Sequence, residues 1–216
     1  FLLLAISFIG SLSVQAQTRL QTPKWDLLQD AGRLVRANAS LRTIDGWTHF
    51  YNEESNILLL SIKLGEQDIG SIKGQLSVSS GLLANYGKAA NDLSGASYVN
   101  QGIWLTMNRY WRIENATPLN IPVRVRYYYS KQDYDDLTEG LSEIGLEDKQ
   151  RGELLFFALT GKRVHPFSNR PEAMKATYVP LRDTLKAETV PWRTDIYYAE
   201  FELETLDAGG SGGFLV

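Results

Sequence analysis

Residues 123–137 read VRVRYYYSKQDYDDL. Val123, Val125, Tyr127 and Tyr129 fall on one side of an extended chain and Arg124, Arg126 and Tyr128 on the other. That is the period-two pattern of a strand with one sheltered face. Past Tyr129 the pattern turns helical, over residues 133–144, with Ser130 or Asp133 as the N-cap. Asp133, Asp135 and Asp136 then stand in a first helical turn, where the helix dipole favours carboxylates. A calcium loop wants oxygen ligands at alternate positions and a glycine at the sharp turn; no DxDxDG pattern is present, and Leu137 follows directly.

The alternation recurs in both directions from this stretch. In residues 196–204 (IYYAEFELE), Tyr197, Ala199, Phe201 and Leu203 face inward, while Tyr198, Glu200, Glu202 and Glu204 face out. In residues 56–64 (NILLLSIKL), Leu58, Leu60, Ile62 and Leu64 share one face, with Ser61 and Lys63 on the other. Residues 74–80 place Leu76 and Val78 inward. Residues 44–51 form a strand after an Asp45-Gly46 turn, and residues 153–159 another. Residues 103–114 (IWLTMNRYWRIE) read as one long strand, or as a strand bulged near Asn108. Arg109 falls on its apolar side and must either swing out at the bulge or be paired, because an isolated buried charge is very costly.

Between these strands lie a Gly/Ala/Asn/Ser-rich loop (81–102), a turn (115–122), and a stretch (161–192) holding four of the seven prolines, with one short strand near 176–181. About eight strands, one or two short helices and no βαβ alternation predict an all-β antiparallel sandwich, Ig-like or jelly-roll-like. Residues 1–16 read as a secretory leader, shortened at its start, with cleavage after Ala16; the alternative is a buried N-terminal helix. Residues 17–42 are a polar lead-in in which Trp25, Leu27, Leu28, Leu34 and Val35 suit a short amphipathic helix or a mobile segment. The sandwich spans residues 43–206, and residues 207–216 (DAGGSGGFLV) read as a glycine-rich linker.

Composition narrows the function. A net charge of −3 and no basic stripe argue against a nucleic-acid partner. No apolar run reaches the roughly 20 residues of a membrane span, so none is expected in the mature chain. With no cysteine and only His49 and His165, thiol chemistry is excluded and a multi-histidine metal centre is not expected; no motif calls for a cofactor. His49 reads as a half-buried strand residue and His165 as a loop residue. Glu200 and Glu202 lie on one strand face about 7 Å apart, a spacing that suits a glycosidase pair but that any alternating strand supplies.

Two sets of residues on the outward faces are therefore candidates. Arg124 and Arg126 on one strand, and Glu200, Glu202 and Glu204 on another, form cross-strand pairs if the strands are neighbours; the alternative is independently solvated charges. Among 5 Trp and 11 Tyr, Trp104, Tyr110 and Tyr128 fall on polar faces, and Tyr86 and Tyr98 lie in the long loop. These five are the candidate platform for a glycan, whose C–H face stacks on aromatic rings.

DGWTHFYN from Asp45, NILLLSIK from Asn56, MNRYWRI from Met107, PVRVRYYYSKQDYDDL from Pro122 and YYAEFELETLDAGGSGG from Tyr197 together resemble a β-rich domain of exported Bacteroidetes surface proteins. That domain often precedes a type IX secretion sorting module. The resemblance covers residues 43–213 and carries over no active-site residue. It implies a non-catalytic extracellular module. The leading reading of the chain is a secreted or cell-surface β-sandwich with an adhesion, matrix or spacer role, for which an extracellular glycan or a surface or matrix protein is the expected partner. Carbohydrate binding through exposed aromatics is the alternative, and polysaccharide hydrolysis through the carboxylate pair a third reading.

Overall fold

A computed structural model of the chain describes residues 24–65, 69, 73–82, 104–115, 122–143, 154–160, 177–181 and 185–215. Within them thirteen strands and one helix form an all-β antiparallel sandwich. The first three strands are β1 (Arg33–Arg36), β2 (Ala39–Arg42) and β3 (Thr48–Asn52). Then come β4 (Ile57–Lys63), β5 (Leu76–Leu82), β6 (Trp104–Thr106), β7 (Arg109–Asn115) and β8 (Val123–Ser130). After α1 (Lys131–Glu143) follow β9 (Leu155–Thr160), β10 (Thr177–Pro180), β11 (Leu185–Val190), β12 (Arg193–Leu203) and β13 (Ala208–Leu215). One sheet has the order β11-β12-β8-β4-β3-β2; the other runs β1-β5-β7-β13-β9-β10, with β6 also on β13.

Period-two burial builds the interior. Val123, Val125, Tyr127 and Tyr129 of β8, with Ala199, Phe201 and Leu203 of β12, face Trp111, Ile113, Val78 and Phe156 across the two sheets. β12 pairs along the length of β8, with Phe201 opposite Val125 and Glu200 opposite Arg126. The Asp45-Gly46 turn closes with Thr43 N–H donating to the Trp47 carbonyl at 2.8 Å, and Gly46 takes the left-handed φ of 86° the turn requires.

Four readings of the sequence are corrected. The lead-in is part of the sandwich: β1 edges one sheet, β2 edges the other, and between them the Ala37 and Asn38 N–H groups bond to β5 and β3 respectively. The glycine tail is β13, an interior strand between β7 and β9. It is buried because its neighbours leave no room for side chains: a Cβ on Gly210 would stand 2.0 Å from the Phe157 carbonyl oxygen, and one on Gly212 2.9 Å from the Phe156 ring. Composition alone makes such a run look like a linker, whereas here glycine permits close approach. Leu58 leaves the face assigned to it, because a bulge at Leu59 in the β3–β4 pairing turns Leu58 outward while Leu59 and Leu60 both enter the core. Residues 185–190, taken as loop, form the edge strand β11.

The 103–114 stretch resolves both alternatives for Arg109. The strand breaks at Met107-Asn108 into β6 and β7, and Arg109 stays inside, paired. Its Nε bonds Asp133 Oδ2 at 2.7 Å and its Nη2 the Leu28 carbonyl at 2.7 Å. Asp133 also accepts from the Ser130 N–H at 2.6 Å, and the Ser130 hydroxyl caps the Asp133 N–H at 3.1 Å. This reciprocal capping box starts α1 at Lys131 and ties it to the opposite sheet. Asp135 pairs with Lys131 and Asp136 with Gln132, so the acidic cluster is absorbed by the helix.

Candidate functional site

The outer face of the six-stranded sheet gathers most of the chemistry-bearing residues. Strand parity puts Arg124, Arg126 and Tyr128 of β8, His49 of β3, Ser61 of β4, and Tyr198 and Glu200 of β12 on this one face. Pairing of β3, β4, β8 and β12 then sets them side by side. His49 stands opposite Ser61, and Ser61 opposite Arg126.

Glu200 is buried there, with both carboxylate oxygens occupied. Oε1 accepts from Arg124 Nη2, and Oε2 from Arg126 Nε at 2.9 Å. The Arg126 guanidinium lies 3.9 Å from the Trp47 ring centroid and 4.7 Å from that of Tyr198, a cation held between two π faces. Tyr198 in turn donates to Glu188 at 2.7 Å. Glu202 faces Arg124 across the strands but is exposed and makes no ion pair among the described residues; Glu204 is exposed just beyond β12. The predicted carboxylate pair is thus split between one locked and one solvated group.

Beside it runs a buried polar chain. Ser61 Oγ lies 2.6 Å from His49 Nδ1 and 2.7 Å from the Tyr128 hydroxyl. Tyr128 donating to Ser61, and Ser61 to Nδ1, satisfies all three with a neutral imidazole. Burial holds His49 down at about 4, helped by the positive charge of Arg126 and opposed by Asp45. Burial pushes Tyr128 up to about 12, against the Ser61 bond and Arg126.

Over this chain lies a second apolar cluster of Trp25, Leu27, Leu58, Tyr128, Val190 and Ile196, rimmed by half-buried Leu41, Tyr51, Trp192 and Tyr198. The Trp25 ring is 5.1 Å from His49, 5.2 Å from Tyr51 and 5.8 Å from Trp192. Residues 24–28 are therefore extended and packed on the sheet, not helical.

Two members of the predicted aromatic platform are corrected by this geometry. Tyr128 is buried within the second cluster. Tyr110, on the other sheet, folds its ring over Gly81, where a Cβ would stand 2.2 Å from it. Each lies on the face its parity assigned but is itself buried. Trp104 is in β6, and Tyr86 and Tyr98 lie outside the described residues, as do the proposed leader and His165. The rings that do reach solvent on this face, Tyr51, Trp192 and Tyr198, were not singled out from the sequence. Alternation marks a side chain as outward, but not whether another segment lies over it.

No family model, curated protein or solved structure matches the chain.

Proposed function

We propose that the chain is a non-catalytic β-sandwich module, exported to the outer surface of a bacterial cell, with an adhesion, matrix or spacer role. The observation that carries this reading is the fate of the outer-face chemistry. Glu200 with Arg126, and His49 with Ser61 and Tyr128, have their polar atoms turned toward one another, and aromatic rings lie against Arg126, His49 and Tyr128. Groups arranged in this way stabilise a scaffold; a general acid or nucleophile needs an atom open to substrate. No helix among the described residues is long and apolar enough to cross a membrane. The test is solid-phase binding of the purified chain to immobilised matrix proteins and polysaccharides, run beside an assay for released reducing sugar. Saturable protein binding without sugar release is expected. Turnover that disappears in Glu200→Gln would replace this reading with hydrolysis.

The half-exposed rings of Tyr51, Trp192 and Tyr198 favour a second reading, carbohydrate binding on the same face. A glycan array followed by titration separates the two. Under this reading, saturable binding weakens at least tenfold in Trp192→Ala.

A further inference from the structure

At one end of the six-stranded sheet, β8 and β4 part and leave a gap. β8 pairs with β4 only from Leu60 to Lys63, matched with Tyr127 to Arg124, and then departs toward α1 while still paired with β12. The edge of β4 that β8 abandons is taken by Asp26. Its N–H donates to the Asn56 carbonyl at 3.0 Å, and its carbonyl accepts the Leu58 N–H at 2.9 Å, a single parallel bridge. From the β12 side, Trp192 Nε1 donates to the Trp25 carbonyl at 3.2 Å, and Arg193 pairs with the Asp26 carboxylate. Asn56 Nδ2 holds the Lys24 carbonyl at 3.0 Å. Trp25 and Leu27 fill the outer cluster, Leu28 enters the main core, and its carbonyl receives Arg109.

We propose that this gap is an acceptor slot for one extended W-x-L-L segment, filled by residues 24–28 of the same chain and equally fillable by residues 24–28 of a second copy. The slot reads its occupant through two outward plugs, one inward plug and backbone carbonyls, while only one backbone bridge is made. Recognition of this kind is strand addition, in which pockets select alternate side chains. Its best-fitting occupant is the identical segment of another copy. The link to the rest of the chain suits such an exchange: residues 29–32 are all exposed, and Gly32 takes a left-handed φ of 76°. An element plugged by side chains and joined to the sandwich by a short exposed connector is a low-cost route to a symmetric swapped dimer.

The test uses the full chain with Asp30 and Ala31 deleted, because a connector too short for its own slot favours exchange. Light scattering after size exclusion is expected to give a dimer at micromolar concentration, returning to monomer when Trp25→Ala is added. A shortened chain that folds and stays monomeric overturns the proposal. If the shortened chain does not fold, a protease site is inserted between Asp30 and Ala31 and cut after folding. A fluorescent peptide of residues 24–30 should then exchange into the slot saturably, and its Trp25→Ala version should bind at least a hundredfold more weakly. Failure of the peptide to exchange, or equal binding of the two peptides, overturns the proposal.

Discussion

Two arginine sites show how differently one sandwich treats a guanidinium. Arg109 sits inside, between the sheets, with side-chain exposures of 2% and 5% for it and Asp133. Arg126 and Arg124 sit on the outer face, 22% and 41% exposed, around a Glu200 that is 7% exposed. In the inner pair each partner is the other's means of avoiding an uncompensated charge in a dry interior. In the outer cluster the arginines retain water, and aromatic faces as well as the carboxylate hold Arg126 in place. A buried pair is therefore expensive to break from one side, while a cluster at the sheet surface loses only the difference between its partners and water.

The sharpest way to break this comparison is Asp133→Ala. It leaves Arg109 charged and buried and removes the Asp133 half of the capping box, so a loss of about 3–5 kcal/mol is expected in urea unfolding. The double change Arg109→Met with Asp133→Leu should recover more than half of that, because well-packed apolar replacements remove the charge along with its partner.

Acid probes the outer face next. His49 has its folded pKa held at about 4, below the value near 6.5 of an unfolded chain. The unfolded state therefore takes up the proton first, and stability falls as pH drops from about 6.5 towards 4. The loss approaches about 3 kcal/mol before levelling off. Asp45 and Arg126 are the charged groups acting on this ring. Denaturation midpoints at pH 7 and pH 4.5 should separate strongly in the native chain, and by clearly less in His49→Gln.

Glu200→Ala should cost less, about 1–2 kcal/mol by the same unfolding measurement, since both arginines can rehydrate. Glu202→Ala, exposed and without an ion pair among the described residues, should stay within about 0.5 kcal/mol. A Glu200→Ala loss equal to that of Asp133→Ala would erase the distinction between the two sites.

Both sites were partly legible in the sequence. The parity of β8 and β12 placed Arg124 and Arg126 on the same kind of face as Glu200. The parity of residues 103–114 exposed Arg109 as a charge needing a partner, without naming Asp133. What the pattern lacked was any sign that the outer face is covered. Trp25, 36 positions from Ser61 along the chain, sits in a segment whose pattern suits a short helix and says nothing of a sheet beneath it. His49 and Ser61 share an outward parity that marks them as neighbours only once β3 and β4 are known to pair.

By itself, the sequence determined the all-β class, the inner faces of β8 and β12, the Asp45-Gly46 turn and the capped helix, because each depends on side chains one to four positions apart. Only the tertiary structure decided that the AGGSGG run is an interior strand, that Leu58 turns outward, and that residues 24–28 complete a sheet. The physical reason is the same in each case. A glycine run, a bulge and a strap take their roles from the backbone and rings that lie opposite them, and those come from distant parts of the chain.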